Sequence, residues 1–506
     1  MNIDKDIIYG VLELNNKVSY GVKNEKRFYP YDKNLPMFYV PTKKPFSTTN
    51  IYCGIRFDKQ TNDKYFGVVE KYIGNLGVLE NELEYLKNIA TNGWKGNSKF
   101  TLNEYFDDIT PVRKDLTYLK TYSIDPNGCI DIDDAISIEK MEDSCKIYIH
   151  IADVTSFILP NTVLDLEIRK RKESVYLTKS QINMIPDKLS IEKISLKSDR
   201  INRAFTLELT LNKDYDIIAH TFYKSNIQVK NLSYEYAQTL IDKSKNEDLT
   251  MLFDISKELY KFKFGDISNF DTHHMVEIFM IIANVYAAKE IVDYDGAIFR
   301  KQNKKYQEIS FKNNLLSNLF IDINPASYTN YIDSNKAHDS IREEFYTHFT
   351  SPMRRYIDII VHRILSNKYC NTNFEINYDN EHNNTFIDEL NSTHKNLKRI
   401  NFTAELYNHI FKPDFKEYDI YEGVIIGFSF NKLRVYINKI GIINIKLFSK
   451  QFEELFEYEI INDEIYRFYD KINDKHMTFL LNQNIKVNMS VTKLGIQKLN
   501  TSLFIE

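Results

Sequence analysis

The segment YSIDPNGCIDIDDAISI, residues 122–138, decides the organisation of the chain. It holds carboxylates at Asp125, Asp131, Asp133 and Asp134. Carboxylates this close repel one another unless cations neutralise them. Hard oxygen ligands suit Mg²⁺, with Mn²⁺ as the alternative. Because Mg²⁺ commonly binds through one or two carboxylates plus substrate phosphate, the cluster favours a phosphodiester substrate. Two such ions can activate a water and stabilise the leaving oxygen.

An acidic surface loop and a calcium-binding loop are the other interpretations of this cluster, and either is the commoner origin of clustered aspartates. Two features of the sequence argue against them. Strand-like sequence follows the cluster at once, and the terminal Glu of a calcium loop is absent. The runs DDAISIEK, residues 133–140, and CKIYIHIADV, residues 145–154, predict a β-hairpin that starts inside the cluster.

Two helices are predicted after the hairpin. DTHHMVEIFMIIANVYAAKEI, residues 271–291, has apolar residues at helical spacing. TSPMRRYIDIIVHRILSN, residues 350–367, predicts a second helix with Ser351 as its N-cap. Arg354 and Arg355 then lie in the first turn, where backbone N–H groups attract phosphate and a guanidinium can stabilise developing phosphoryl charge. The alternative for such an arginine pair is an ordinary ion-paired helix face.

The composition indicates a globular protein with a neutral to acidic surface. The chain has 506 residues, 43% of them hydrophobic and 27% charged, and a formal net charge of −4. A nucleic-acid binder is usually basic, so phosphate contacts are expected from local clusters. Such clusters lie at Arg169–Lys172, Arg300–Lys305 and Lys395–Arg399. There is no N-terminal apolar h-region and no apolar run of transmembrane length, so we expect a cytoplasmic, intracellular monomer that binds no membrane.

Cysteine and histidine give no sign of a zinc site. The four cysteines form no C-x-x-C pair, so neither structural zinc nor a disulfide framework is predicted. His273 and His274 are the only adjacent histidines, and adjacent helical residues point in different directions. A metal shared between them is therefore not expected.

Five segments, in order, resemble the catalytic RNB domain of the ribonuclease II family, which includes bacterial ribonuclease R and the hydrolytic exosome subunit. They are YSIDPNGCIDIDDAISI, YIHIADVTSFILP, SVYLTKSQINMIPDKLS, VEIFMIIANVYAA and YTHFTSPMRRYIDIIVHR. The resemblance covers about residues 113–412. It implies a magnesium-dependent exoribonuclease that degrades single-stranded RNA processively from the 3′ end, releases nucleoside 5′-monophosphates and needs no small-molecule cofactor.

The resemblance also implies roles for single residues. Metal binding falls to the four aspartates, above all Asp125 and Asp134. Catalysis falls to Asp131, Asp133 and Arg354, with Asp133 the most critical and Arg354 acting on the scissile phosphate. Six residues are assigned to RNA binding: Tyr176, Tyr234, Phe270, Glu277, Arg355 and Glu405. Tyr234 would pack the 3′ nucleotide and Tyr176 would stack on the RNA, unless it is a strand core residue. Glu277 and Glu405 would face ribose hydroxyls, unless they are ordinary exposed glutamates.

The flanking sequence predicts small β-barrels around this centre. Residues 1–75 contain the strand-like runs IIYGVLEL, KVSYGV, MFYVP, NIYCGIRF and KYFGVVEKYIG and predict an OB or cold-shock-like barrel. Residues 76–112 predict a connecting segment or a reduced second barrel, with a helix at ENELEYLKNIA. Residues 113–412 form the predicted catalytic domain, and residues 413–506 a C-terminal OB-fold barrel that binds RNA.

The predicted fold class is α+β, with a central RNB-type mixed α/β domain between OB-like barrels. One alternative function is a catalytically inactive RNA-binding protein of the same family. A metal-binding scaffold with no nucleic-acid role is the other. The intact aspartates and Arg354 argue against the first, and the five ordered segments argue against the second.

Overall fold

The chain forms two compact units in the computed structural model. We call residues 1–93, 176–180 and 396–506 the barrel unit, and residues 94–175 and 181–395 the sheet unit. The structure describes residues 7–21, 23–94, 112–177, 180–303, 325–374, 380–412, 420–437, 440–447, 454–461, 465–492 and 498–503. Lys304 and Lys305 of one predicted basic cluster, and residues 95–111 of the predicted connecting segment, lie outside these ranges. No helix in the described ranges is long and apolar enough to cross a membrane.

The barrel unit begins with a closed barrel in the strand order β1-β2-β3-β5-β4. Alternate residues point inward, and Phe28, Phe38 and Cys53 are fully buried among its core side chains. The predicted helix over residues 80–90 is confirmed as α1. The bounds are β1 Ile8–Leu12, β2 Glu25–Pro30, β3 Phe38–Pro41, β4 Ile51–Thr61, β5 Lys64–Asn75 and α1 Leu79–Ala90.

The strand predicted at KVSYGV, residues 17–22, is wrong. Residues 17–21 form irregular loop structure instead. The ammonium group of Lys26 donates hydrogen bonds to the carbonyl oxygens of Asn16 and Val18, at 2.8 and 2.9 Å. Because a buried lysine takes these carbonyls, they are not used in a strand ladder, and no described strand pairs with residues 17–21.

The sheet unit is built around a six-stranded sheet in the order β12-β9-β8-β7-β13-β6, in which β12 also pairs with β13. The predicted hairpin is confirmed as the antiparallel pair β8 and β9. Ile147, Ile149 and Ile151 of β9 are fully buried in the main core. In residues 114–330 the strands are β6 Lys114–Asp115, β7 Thr121–Asp125, β8 Asp134–Lys140, β9 Cys145–Ala152, β10 Val175–Leu177, β11 Ser180–Ile182, β12 Ile201–Leu211, β13 Ile217–Ser233, β14 Ile298–Lys301 and β15 Ser327–Asn330, of which β10 and β11 include residues assigned to the barrel unit.

Helices cover this sheet, and the two longest predicted apolar patterns lie in them. The helix predicted at 271–291 is confirmed as α6, whose N-cap Asp271 forms a capping box with His274. The bounds are α2 Val163–Arg171, α3 Asp187–Leu189, α4 Tyr234–Asp242, α5 Glu247–Phe264, α6 Thr272–Glu290, α7 Tyr356–Tyr369 and α8 Asn380–Ile410.

The predicted start of α7 is wrong. The helix begins at Tyr356, and Ser351 is not its N-cap. The backbone carbonyl of Arg354 accepts from Ser174 N at 2.9 Å, and Tyr356 N donates to the carbonyl of Lys172 at 2.8 Å. Because these backbone groups pair with the segment that follows α2, the chain stays extended at Arg355 and cannot yet be helical.

A buried cluster of ion pairs connects residues from separate segments of the six-stranded sheet. Asp153, which is fully buried, accepts from Arg113 Nη2 at 2.6 Å and from Lys224 Nζ at 2.5 Å. Burial on its own would raise the pKa of Asp153, but Lys224 and Arg113 hold it well below its ordinary value. The ionised carboxylate therefore stabilises the folded sheet unit.

The C-terminal part of the barrel unit contains a five-stranded antiparallel sheet, β18-β17-β16-β22-β23, and a three-stranded sheet, β19-β20-β21. The strands predicted at 420–428, 432–438, 440–448 and 483–491 are confirmed within a residue or two, whereas β19–β21 and β23 were not predicted. The bounds are β16 Ile420–Ser429, β17 Lys432–Ile437, β18 Gly441–Lys446, β19 Phe456–Ile461, β20 Ile465–Asp470, β21 Lys475–Leu480, β22 Asn484–Thr492 and β23 Lys498–Leu503.

Candidate active site

The aspartate cluster lies at one end of the six-stranded sheet. Asp125 is the last residue of β7 and Asp134 is the first residue of β8. These strands are antiparallel neighbours, with Tyr122 opposite Ile136. The loop between them carries Asp131 and Asp133, so the hairpin geometry returns all four carboxylates to the same sheet end.

Asp133 joins this loop to the segment before α7. The residue is only 7% exposed. Oδ1 accepts a hydrogen bond from Met353 N at 3.1 Å, and Oδ2 lies 4.0 Å from Arg354 Nε. Burial raises the pKa of Asp133 well above its ordinary value, although Arg354 acts in the opposite direction. The predicted catalytic residues Asp133 and Arg354 are thus neighbours, although 221 positions separate them in sequence.

Asp125 and Asp134 are buried carboxylates whose charge is poorly compensated. Burial raises the pKa of Asp125 to about 6, with a further contribution from Asp131. Burial also raises the pKa of Asp134 to about 7, with a contribution from Asp125. Asp125 Oδ2 is buried and has no hydrogen-bond partner among the described residues. A cation beside these oxygens would remove the electrostatic penalty.

Asp131 is held by a residue that the sequence did not single out. Gln181 Nε2, in β11, donates to Asp131 Oδ2 at 2.5 Å and also lies 2.7 Å from Asn183 Oδ1. Gln181 falls inside one of the five resembling segments, but nothing in the pattern distinguished it from its neighbours. The amide orients Asp131 at the exposed edge of the cluster.

The donor set fits Mg²⁺ or Mn²⁺ bound jointly with a substrate. Within the described ranges, no three carboxylate, imidazole or thiol side chains converge closely enough to hold a metal ion. A closed cage such as a structural zinc site requires more protein ligands than this. Mg²⁺ needs only one or two carboxylates when waters and phosphate oxygens supply the rest. The unpartnered Asp125 Oδ2 is a suitable ligand for such an ion.

Arg354 and Arg355 have different surroundings. The side chain of Arg354 is 45% exposed, and its Nη2 donates to Ser351 Oγ at 2.9 Å. The side chain of Arg355 is 15% exposed and donates to Asp358 Oδ1 at 2.8 Å. Arg354 is therefore the arginine that can reach a bound phosphate, whereas Arg355 anchors the start of α7. An RNA contact by Arg355 stays a prediction.

Tyr234 lies beside the aspartate cluster. Strands β13 and β7 are parallel and pair Ser233 with Asp125, so Tyr234 follows directly after that pair. Burial raises the pKa of the Tyr234 phenol, and the charges of Asp134 and Asp125 raise it further. Its ring stacks on the imidazole of His273, with centroids 3.9 Å apart.

The other predicted RNA contacts are more scattered. Phe270 packs on Phe253 and Tyr260, with ring centroids 5.2 and 5.6 Å apart, in the cluster formed by α5 and α6. Glu277 lies in α6, where burial raises its pKa. Tyr176 and Glu405 belong to the barrel unit and are exposed. Tyr234 therefore lies beside the aspartates. RNA contacts by all five of these residues, Tyr234 included, stay predictions.

The N-terminal barrel carries a row of rings and cations that the sequence did not single out. The ring of Tyr39 lies 5.7 Å from that of Tyr20 and 5.9 Å from that of Phe66. Arg27 lies 4.3 Å over Tyr20, and Lys64 lies 5.2 Å over Tyr39. The signal was present as adjacent aromatic residues, Phe38 and Tyr39 in β3 and Tyr65 and Phe66 in β5, but the contribution of the loop residue Tyr20 depends on the fold.

The family model described as RNB domain matches residues 113–369, just over half of the chain. The chain belongs to the RNB domain family. All four aspartates, Arg354 and Tyr234 lie within these RNB domain residues. The family predicted from the five sequence segments is therefore confirmed.

Known proteins agree with this assignment. The probable exosome complex exonuclease RRP44 of Caenorhabditis elegans is 26% identical over 539 residues, covering 87% of this chain and 56% of that protein. The chain spans about half the length of the curated relatives it matches.

Two solved structures share the fold. RNase R of Mycoplasma genitalium, in complex with ribose methylated single-stranded RNA, has a TM-score of 0.69 at 16% identity and covers 98% of this chain and 100% of that one. Yeast Ssd1, described as a pseudonuclease, has a TM-score of 0.66 at 17% identity and covers 96% of this chain and 67% of that one. The predicted α+β fold with flanking small β-structures is confirmed.

Proposed function

We propose that this chain is a magnesium-dependent exoribonuclease that hydrolyses single-stranded RNA processively from its 3′ end to nucleoside 5′-monophosphates. The observation that carries the proposal is the 4.0 Å approach of Arg354 Nε to Asp133 Oδ2, at the sheet end where the buried Asp125 Oδ2 has no hydrogen-bond partner among the described residues. Carboxylates for a cation and a guanidinium for phosphate in one place are what phosphodiester hydrolysis requires.

Asp125 and Asp134, with Asp131 and Asp133 on the loop between their strands, would supply carboxylate oxygens to Mg²⁺, and waters and phosphate oxygens would complete its coordination. When bound, the ion lowers the pKa of a water and neutralises charge on phosphate oxygens. Arg354 projects from the segment that Asp133 anchors, so its half-exposed guanidinium can donate to a non-bridging phosphate oxygen. A planar guanidinium can make two parallel hydrogen bonds there, which orients the phosphate as well as neutralising it.

The 3′ polarity is proposed from the likeness to the RNB domain family, and the stacking residue at the end of the sheet is placed to hold a terminal base. Tyr234 follows the residue paired with Asp125, so a base stacked near this ring would place the adjacent phosphate near the carboxylates. Stacking does not depend on base identity, which suits an enzyme that removes nucleotides one after another. Phe270, Glu277, Tyr176 and Glu405 are proposed to contact the RNA further along.

The N-terminal barrel is proposed to capture the RNA chain. Its row of Tyr20, Tyr39 and Phe66, with Arg27 and Lys64 over the rings, combines base-stacking faces with cations for phosphate. Rings interleaved with cations are the usual means by which small barrels bind single strands without sequence preference. This local arrangement offsets the net negative charge of the chain.

A catalytically inactive RNA-binding protein is the second candidate, because a fold neighbour is described as a pseudonuclease. Polarity and activity can be tested together on two RNAs of one sequence, a 5′-labelled linear strand and its circular form. We expect the linear strand to shorten from the 3′ end in Mg²⁺, and the circle to stay intact. Cutting of the circle would contradict the exonuclease assignment. Tight binding of both RNAs with no shortening would support the inactive candidate.

A further inference from the structure

We infer that His273 is a nucleotide-binding residue, which forms the outer ring of a two-ring stacking platform that receives a base of single-stranded RNA beside the aspartate cluster. The inference rests on the proposed function, because it names a further contact of that site. It also gives a role to one member of the histidine pair for which no metal is expected.

The two rings form a nearly parallel stack. The Tyr234 and His273 centroids are 3.9 Å apart and their planes differ by 9°. Tyr234 is partly buried against the main core, whereas the His273 side chain is 64% exposed. One face of the imidazole is covered by tyrosine, and the ring extends the aromatic surface away from the core.

Hydrogen bonds on the backbone fix this pair in place. Asp271 caps α6 and accepts from His273 N at 3.0 Å and His274 N at 3.2 Å. Thr272 Oγ1 donates to the backbone carbonyl of Tyr234 at 3.2 Å. The residue before His273 is therefore tied directly to Tyr234. A stack whose backbones are held on both sides needs little further ordering when a ligand binds.

The platform stands next to the reaction centre. Ser233 pairs with Asp125 in the parallel register of β13 and β7, which places Tyr234 one residue beyond a proposed metal ligand. The exposed imidazole of His273 stacks on the Tyr234 ring with the centroids 3.9 Å apart, so it lies one ring beyond Tyr234. It can stack on a base of the 3′ end. Because Nδ1 lies 3.4 Å from Asp271 Oδ2, the other ring nitrogen, Nε2, is the one that can donate to a ribose or phosphate oxygen.

The competing explanation is that His273 only shields Tyr234 from water. Binding measurements on the full chain carrying Asp133→Asn separate the two, because that background should bind RNA without cleaving it. The probe is a fluorescent tetranucleotide, measured by anisotropy in Mg²⁺. A stacked base contributes about 1–3 kcal/mol, so His273→Ala should weaken binding about fivefold or more. His273→Phe keeps a ring and should restore most of the affinity.

A matched control exists in the three-stranded sheet. His476 stacks on Tyr469 at 4.2 Å and 10°, where the two residues lie opposite each other in the paired strands β20 and β21. His476→Ala should leave tetranucleotide affinity unchanged. Unchanged affinity in a folded His273→Ala variant would overturn the inference and leave the proposed function standing, and equal losses at both histidines would overturn it too. Absence of any RNA binding by the Asp133→Asn parent would reject the proposed function as well.

Discussion

Replacing Asp133 by Asn removes one charge from the centre of the site with little change in shape. Asp133 is only 7% exposed, and its Oδ1 accepts from Met353 N at 3.1 Å. An asparagine amide oxygen can accept the same bond, so the contact between the aspartate loop and the segment before α7 should survive. The amide nitrogen would face Arg354, where a carboxylate oxygen now lies at 4.0 Å.

The substitution should therefore separate stability from catalysis. Burial raises the pKa of Asp133 well above its ordinary value, which means that its charge destabilises the metal-free fold. A neutral side chain removes this cost, so the melting temperature in chelator should equal or exceed that of the parent. Loss of a metal-site carboxylate costs several kcal/mol of transition-state stabilisation. At about 3 kcal/mol or more, cleavage should slow at least roughly 100-fold.

The assay is single-turnover cleavage of a 5′-labelled RNA, with differential scanning fluorimetry of the same preparations in EDTA. The expected pattern is slow cleavage by a protein that melts no earlier than the parent. Turnover close to that of the parent would refute the catalytic role of Asp133. A clear fall in the melting temperature in EDTA would refute the electrostatic reasoning, because it would mean that the charge supports the fold.

Other substitutions test other parts of the site. Arg354→Lys should impair turnover almost as much as Arg354→Ala, since lysine lacks the planar fork; parent-like rates for lysine would show that a bare charge suffices. Tyr234→Ala should lengthen the final digestion product while long RNA is still attacked, and an unchanged product ladder in a stable variant would reject terminal stacking. Asp153→Asn should destabilise the fold by about 3–5 kcal/mol at neutral pH, because Lys224 and Arg113 stay buried without a counterion. Because the pKa of Asp153 is depressed by folding, its contribution is present above about pH 4 and is lost as pH falls. Calorimetry should therefore show a smaller acid-induced loss in the variant, and an equal loss would contradict this.

Local sequence patterns predicted the elements that carry the site. The β8–β9 hairpin has the alternation typical of paired strands, and α6 has a long apolar pattern at helical spacing. The aspartates could be recognised as a metal-binding cluster from sequence alone, because repulsion among neighbouring carboxylates implies a cation whatever the conformation of the loop. These inferences need only neighbours in sequence.

Features that depend on distant partners could not be predicted. Ser351 looks like an N-cap, yet α7 starts at Tyr356 because the intervening backbone pairs with residues 172–174. Gln181 reaches Asp131 across 50 positions, and His273 stacks on Tyr234 across 39. The periodicity of a sequence cannot show such long-range contacts. They follow from the sheet register and the packing of α4 on α6, which only the folded chain reveals.

The most direct measurement of the central claim is the product formed from uniformly labelled single-stranded RNA by the purified chain. With Mg²⁺ we expect nucleoside 5′-monophosphates as the main product, no release in EDTA, and recovery when Mg²⁺ is added back. The Asp133→Asn chain should release almost none under the same conditions. RNA that stays intact in Mg²⁺ while bound to the parent chain, or mononucleotide release that EDTA does not stop, would contradict the account.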